Sequence, residues 1–155
     1  MEKICPKCNH INHLDLELSI EQYICSKCKG LIDAKENKFL KEISYSRYIT
    51  TLSIGQKGTI ENTEYTVVAI VTRKTGRNYK WSEYYLKDKN LNDAFLSESE
   101  GHWVFMKPLS QPFQTTRYAA TFNGERYRKY ETTQCSIDSA QGFFEDSIKY
   151  GVASY

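Results

Sequence analysis

Two short cysteine pairs near the N-terminus limit the fold of this chain more than any other feature. Cys5-Pro6-Lys7-Cys8 and Cys25-Ser26-Lys27-Cys28 stand with sixteen residues between them, a C-x2-C-x16-C-x2-C pattern. Two residues between cysteines allow a tight turn that aims both sulfurs at one ion, and two such knuckles complete a tetrahedron. The intervening stretch is long enough for a hairpin that returns the second knuckle to the first. The spacing matches zinc ribbons. It predicts a ribbon over residues 1–30 holding one structural Zn²⁺ on Cys5, Cys8, Cys25 and Cys28. The flanks agree. Pro6 presets a backbone angle in the first turn, Asn9 tolerates the left-handed conformation, and Gly30 closes the second knuckle. Leu14, Leu16 and Leu18 alternate with Asp15 and Glu17, which reads as a strand.

Other uses of these cysteines fit less well. Met1 to Asn9 is polar and no apolar h-region follows, so no signal peptide is read and a disulfide pair is disfavoured. A redox C-x-x-C normally occurs once, near a βαβ pattern. A catalytic zinc needs an open position, which four thiolates do not leave. An iron–sulfur site remains an alternative on the same ligands. His10 and His13 lie near enough to replace a cysteine but read as surface histidines on the hairpin. Cys135 stands alone in a β-like stretch and reads as a small buried residue.

Beyond the cysteines, the 155 residues leave room for one further domain of about 100 residues. The chain's twelve Tyr and seven Phe, with Val, Ile and Thr, favour pleated sheets. The chain divides into a zinc ribbon (1–33), a charged connector (34–51) and an antiparallel β domain (52–155). Tyr65 to Arg73 reads as a long strand buried on both faces. Lys74 to Asn78 reads as a hairpin loop. In Trp81 to Leu86, Trp81, Glu83 and Tyr85 share one face while Ser82, Tyr84 and Leu86 share the other. Ala94 to Leu96 and His102 to Met106 follow as strands. Tyr118 to Phe122 and Arg126 to Tyr130 flank Asn123-Gly124, a strong hairpin signal. The expected fold is mainly β: the ribbon followed by an antiparallel β-barrel or β-sandwich.

Several of these segments carry a resemblance. Ile54-Gly55-Gln56-Lys57-Gly58, Tyr65-Thr66-Val67-Val68, Trp81-Ser82-Glu83-Tyr84-Tyr85-Leu86, Phe95-Leu96-Ser97-Glu98 and Gly101-His102-Trp103 follow one another in order. Together they resemble the bacterial family called domain of unknown function 4178, as does Phe122 to Tyr127. The resemblance covers roughly residues 52–150, and WSEYYL is its most specific part. It implies an N-terminal zinc ribbon, which members often carry, and no particular activity. It also implies that members continue further, some into membrane-spanning segments. The chain is therefore expected to be cut short at its C-terminus, and the full-length protein to be membrane-associated.

The functional reading is sparse. No G-x-S-x-G, H-E-x-x-H, Walker loop or G-x-G-x-x-G is present. His102 reads as a packed or surface histidine. Glu83 reads as the partner of a base such as Arg73 or Arg77. The formal charge is +2, and four thiolates with one Zn²⁺ would bring it near zero, so bulk charge does not point to nucleic acid. The leading expectation is a non-enzymatic protein-interaction module. The alternative is single-stranded nucleic-acid binding through the ribbon and the strand bearing Arg126, Arg128 and Tyr130, where cations interleave with aromatics. No run approaches the ~18 apolar residues of a membrane helix, and a cytoplasmic setting is expected for this portion.

Overall fold

The computed structural model describes residues 1–43, 48–76, 79–129, 134–148 and 152–154. Among these the chain is all β, with no helix. In chain order the strands are β1 (Glu2–Ile4), β2 (Ile11–His13), β3 (Gln22–Ile24), β4 (Gly30–Asp33), β5 (Lys38–Glu42), β6 (Lys57–Ile60), β7 (Thr63–Thr75), β8 (Tyr79–Asp88), β9 (Asp93–Ser99), β10 (His102–Met106), β11 (Gln114–Thr115), β12 (Ala119–Phe122), β13 (Glu125–Arg128), β14 (Gln134–Phe144) and β15 (Val152–Ser154). All their pairings are antiparallel.

Ten strands make one sheet in the order β10-β9-β8-β7-β14-β3-β4-β5, with β6 on β7 and β15 on β14. β1 and β2 form a two-stranded sheet, and β11, β12 and β13 a three-stranded one. The large sheet is open. β10 and β5 end its strand order and do not pair with each other, so the expected barrel does not form. The chain puts its N-terminal β3-β4-β5 strands on the free edge of β14, which continues the sheet instead of closing it.

The centre is β7. Its Thr-Val-Val-Ala-Ile-Val run is rich in β-branched residues that suit a doubly covered strand, and Tyr65 through Arg73 are all buried. β8 follows one edge from Tyr65 to Thr75. β6 and β14 share the other, over Thr63–Thr66 and Ala69–Lys74 respectively. The β7–β8 register shifts between Val67 and Ala69, so Val68 is the extra residue of a β-bulge. The bulge changes which way neighbouring side chains point. Val67 packs with Tyr65, Ile70, Tyr84 and Leu86; Ala69 packs with Val71, Ile24 and Leu31; and Val68 joins Cys5, Tyr23, Cys25 and Phe143. One strand thereby links three hydrophobic clusters, one of which contains two of the cysteines.

β14 lies against the bulge, and Gly142 makes the fit possible. Its φ is +91°, and a Cβ built there would stand 2.4 Å from the Val68 carbonyl oxygen, 2.6 Å from Ile54 Cδ1 and 2.9 Å from Ala69 Cα. Only a residue without a side chain fits both the angle and the space.

The expected strands at Tyr65–Arg73 and Trp81–Leu86 lie within β7 and β8, and the predicted faces of β8 are right. Ser82, Tyr84 and Leu86 are buried, while Trp81, Glu83 and Tyr85 are half-buried. Asn123 and Gly124 both have positive φ, 50° and 80°, as a two-residue hairpin turn requires. The Leu14–Leu18 alternation does not mark a strand. Leu14 is buried, and Leu16 and Leu18 pack against the same cluster from irregular backbone. Lys38–Glu42, inside the stretch read as a connector, is a strand. The turn before it is built by the Asp33 carboxylate, which accepts from the Lys35 and Glu36 amides at 2.9 Å, and by Asn37 at φ 48°. Arg77 and Asn78 of the expected hairpin loop lie outside the described residues.

Candidate metal centre

Each knuckle is built by the same local chemistry. After the first, the Asn9 amide donates to the Cys5 carbonyl and the Cys5 amide donates to the His10 carbonyl, both at 2.9 Å. After the second, the Lys29 amide donates to the Cys25 carbonyl and the Cys25 amide to the Gly30 carbonyl, again at 2.9 Å. The residue that turns left-handed is Asn9 in one (φ 56°) and Lys29 in the other (φ 57°). Gly30 therefore does not close its knuckle through a positive φ. Its role is steric: a Cβ there would meet the Phe39 ring at 2.9 Å and Cys28 Sγ at 3.4 Å.

The two turns bring the four sulfurs within 4.8 Å of one another. Cys5 Sγ lies 3.6 Å from Cys28 Sγ, and Cys8 Sγ lies 3.6 Å from Cys25 Sγ. Four sulfurs about 2.3 Å from one tetrahedral ion stand ~3.8 Å apart, so this cluster has the dimensions of a four-thiolate site. A disulfide needs about 2.05 Å, and these two close contacts run between knuckles rather than within a C-x-x-C. Cys5 and Cys25 are buried and Cys8 and Cys28 are half-buried, so the site is closed on its inner side by the core.

The backbone favours negative charge here. Burial opposes ionisation of Cys25. The amides of Cys28 and Lys27, with the Cys8 and Asn12 side chains, outweigh it and bring the thiol down to about 7. Burial dominates at Cys28, which is pushed up to about 12, and the Cys5 thiol is also raised by burial. Four thiols packed this closely cannot all ionise without a cation. A bound ion removes that conflict, and its affinity falls with pH as the thiolates protonate.

Neighbouring side chains fix the site in place. Asn12 is buried, and its Oδ1 accepts from the Ser26 amide at 2.8 Å and its hydroxyl at 3.1 Å. Its Nδ2 donates to the Lys3 and His10 carbonyls at 3.3 Å, so one amide ties the first hairpin to the second knuckle. The fully buried Tyr23 donates to the Ile4 carbonyl at 3.1 Å and stacks on Phe143 of β14, 6.2 Å between centroids. Burial and the surrounding sulfurs hold its phenol well above the ordinary range. Lys7 pairs with Glu42 of β5 and lies 4.9 Å from the Phe39 ring centroid.

The site lies outside the region that identifies the chain. Residues 53–151 match the family described as Domain of unknown function (DUF4178). The chain belongs to the DUF4178 family. No curated protein and no solved structure matches it. The DUF4178 region nevertheless reaches the cysteine cluster physically, because β14 within it pairs with β3, between the knuckles.

The DUF4178 motifs prove to be packing and clasp elements. Tyr84, at the centre of WSEYYL, is fully buried and stacks on Trp103 with 5.7 Å between centroids. Its hydroxyl donates to Glu98 Oε2 at 2.7 Å and accepts from the Thr51 amide at 3.0 Å. Glu98 Oε1 also accepts from the Thr51 hydroxyl at 2.7 Å, so the motif holds the chain entering the family region. Glu83 bonds Arg73 Nε at 2.6 Å and accepts from Trp81 Nε1 at 3.0 Å, the cross-strand pair expected from the sequence. Cys135 is buried, His102 is exposed, and His13 pairs with Asp15 at 2.6 Å on the surface. None of these joins the cysteine cluster. Arg126 and Arg128 are exposed on β13, remote in the chain from the cysteines, and Tyr130 lies outside the described residues. Asn12, Phe39 and Gly142 were not singled out as supports of the site. Asn12 gives no signal beyond its place in a hairpin. Gly142 is preceded by Ser, Ala and Gln, which hide a strand.

Proposed function

We propose that the chain is a non-enzymatic binding module in which one structural Zn²⁺ on Cys5, Cys8, Cys25 and Cys28 joins an N-terminal ribbon to the DUF4178 sheet, and that it presents this sheet to a protein partner. The closed four-sulfur cluster carries the reading, since four thiolates leave no position for a substrate on the ion. The open end of the sheet suggests where a partner adds. β10 has no charged residue, and Trp103, Val104 and Met106 are 42%, 55% and 42% exposed. The opposite end, β5, bears Lys38, Lys41 and Glu42, as guarded edges do. An extended segment of a partner would pair with β10 through main-chain hydrogen bonds. No helix among the described residues is long and apolar enough to cross a membrane, and a cytoplasmic face suits a thiolate site. Val104→Lys should abolish capture of partner proteins from native extract while leaving thermal stability unchanged. Equal capture by both forms, or turnover of a small molecule by the chain, would overturn the reading.

A second reading, single-stranded nucleic-acid binding, draws on the small sheet β11–β13. It pairs with no other strand among the described residues, and β13 is exposed along its whole length. Arg117, Arg126, Arg128 and Lys129 stand there against Glu125, a net +3 in a chain whose formal charge is +2. Tyr118 and Tyr127 are 66% and 51% exposed, and the Arg117 guanidinium lies 5.4 Å from the Tyr118 ring centroid. This suits phosphates and stacked bases. An oligothymidylate should bind with an affinity that falls steeply with salt. The Arg126→Ala/Arg128→Ala variant should weaken binding and reduce the slope by about 1.4 for two lost phosphate contacts. Absent or salt-independent binding removes this reading.

A further inference from the structure

A cavity of about 440 Å³ opens on one face of the large sheet, between β7, β8 and β9 and the residues that follow β14. That volume is within the range of small-molecule sites, about 300–1,000 Å³. Its aromatic lining has a specific geometry. Tyr85 meets Phe95 at 80° with 5.3 Å between centroids, and meets Phe144 at 69° with 6.1 Å. The rings thus form a corner rather than a stack. Rings set at steep angles around a cavity present π faces and edges to one occupant from several sides, as in sites for organic ammonium ions.

The charges around the cavity have the complementary sign. At one end, Arg73 is paired with Glu83 at 2.6 Å. At the other, the buried Lys87 ammonium is bonded to Asp93 at 2.8 Å, to Glu145 at 2.5 Å and to the Leu91 carbonyl at 3.2 Å, which uses all three of its protons. Asp146 also lines the cavity and is exposed. Among the lining residues Arg73 and Lys87 stand against Asp93, Glu145 and Asp146, and with Arg73 neutralised by Glu83 the excess is two negative charges. A free carboxylate ligand would have to displace Glu145 or Asp93 from Lys87. A cation meets an existing negative field without breaking a bond.

The geometry points to a binding site for a small organic ammonium ion with apolar substituents, held by Phe95 and Phe144 with Asp93, Glu145 and Asp146 at its mouth. Each of three isosteric probes can be titrated into the full, metal-loaded chain and followed by ring resonances of Phe95 and Phe144: choline, the uncharged 3,3-dimethylbutan-1-ol and the anionic 3,3-dimethylbutyrate. Choline should shift both rings and bind at least about ten-fold more tightly than the neutral alcohol, and the butyrate should not bind. Asp146→Asn should weaken choline severalfold with no change in thermal midpoint. Phe95→Leu, which keeps an apolar side chain but removes the π face, should remove the preference for choline over the alcohol. Equal binding of choline and the alcohol would make this a generic apolar cavity. Preference for the butyrate would reverse the assigned charge, and no ring shift with any probe would mean no site. Each of these outcomes overturns the proposal.

Discussion

Gly142→Ala should lower the stability of the chain by about 3 kcal/mol or more, combining backbone strain at a positive φ with overpacking. The reason is specific to the β7 bulge. The new methyl would meet the Val68 carbonyl at 2.4 Å and the Ala69 Cα at 2.9 Å, both backbone atoms that cannot rotate away. Moving them shifts the strand that links all three hydrophobic clusters and separates β14 from β7 and β3 together. In a chain of this size the thermal midpoint should fall by roughly 6–12 °C. Gly58→Ala is the control, because its Cβ would enter open space at an ordinary backbone angle, so its effect should stay within about 0.5 kcal/mol. A Gly142→Ala midpoint equal to that of the parent would show that β14 does not pack against the bulge.

Cys25→Ser should remove the metal and unfold β1 and β2 while leaving the DUF4178 sheet folded. Structural zinc contributes about 10–16 kcal/mol of apparent binding free energy in small metal-folded peptides. An isolated two-stranded hairpin is marginal in water. β1 and β2 pair with no other strand among the described residues and are held by the knuckle, by Asn12 and by the Tyr23–Ile4 bond. β3 and β4 differ, because β3 is hydrogen-bonded to β14 and Tyr23 stacks on Phe143. Amide exchange should therefore lose protection at residues 2–13 by several orders of magnitude and keep it at residues 65–73. Global unfolding of the variant would mean that the metal holds the whole sheet together.

The cysteine spacing was legible because metal geometry leaves few solutions, and the four sulfurs come together as the pattern requires. β7 and β8 were legible because most of their apolar residues are β-branched or aromatic and their turns are polar. β14 was not. Gln134 through Phe144 reads Gln-Cys-Ser-Ile-Asp-Ser-Ala-Gln-Gly-Phe-Phe, with neither alternation nor strong β propensity over most of its length. Its position comes from long-range pairing, with β7 on one edge and β3 on the other, which no local pattern encodes. The expected fold was a barrel or a sandwich, and the same pairing explains why the sheet stays open and no barrel closes. Counting strands does not reveal that the ribbon's own strands extend the sheet at β14. Leu14 to Leu18 misled for the opposite reason, since a local alternation was produced by burial against the hydrophobic cluster around the cysteines.

The most direct test of a metal-linked β module is the metal content of the intact chain, purified under reduction and without chelator. Close to one zinc per chain is expected, released together with the loss of protection in β1 and β2 when a strong chelator is added. Chains free of zinc that keep β1 and β2 protected would contradict it, as would iron in its place.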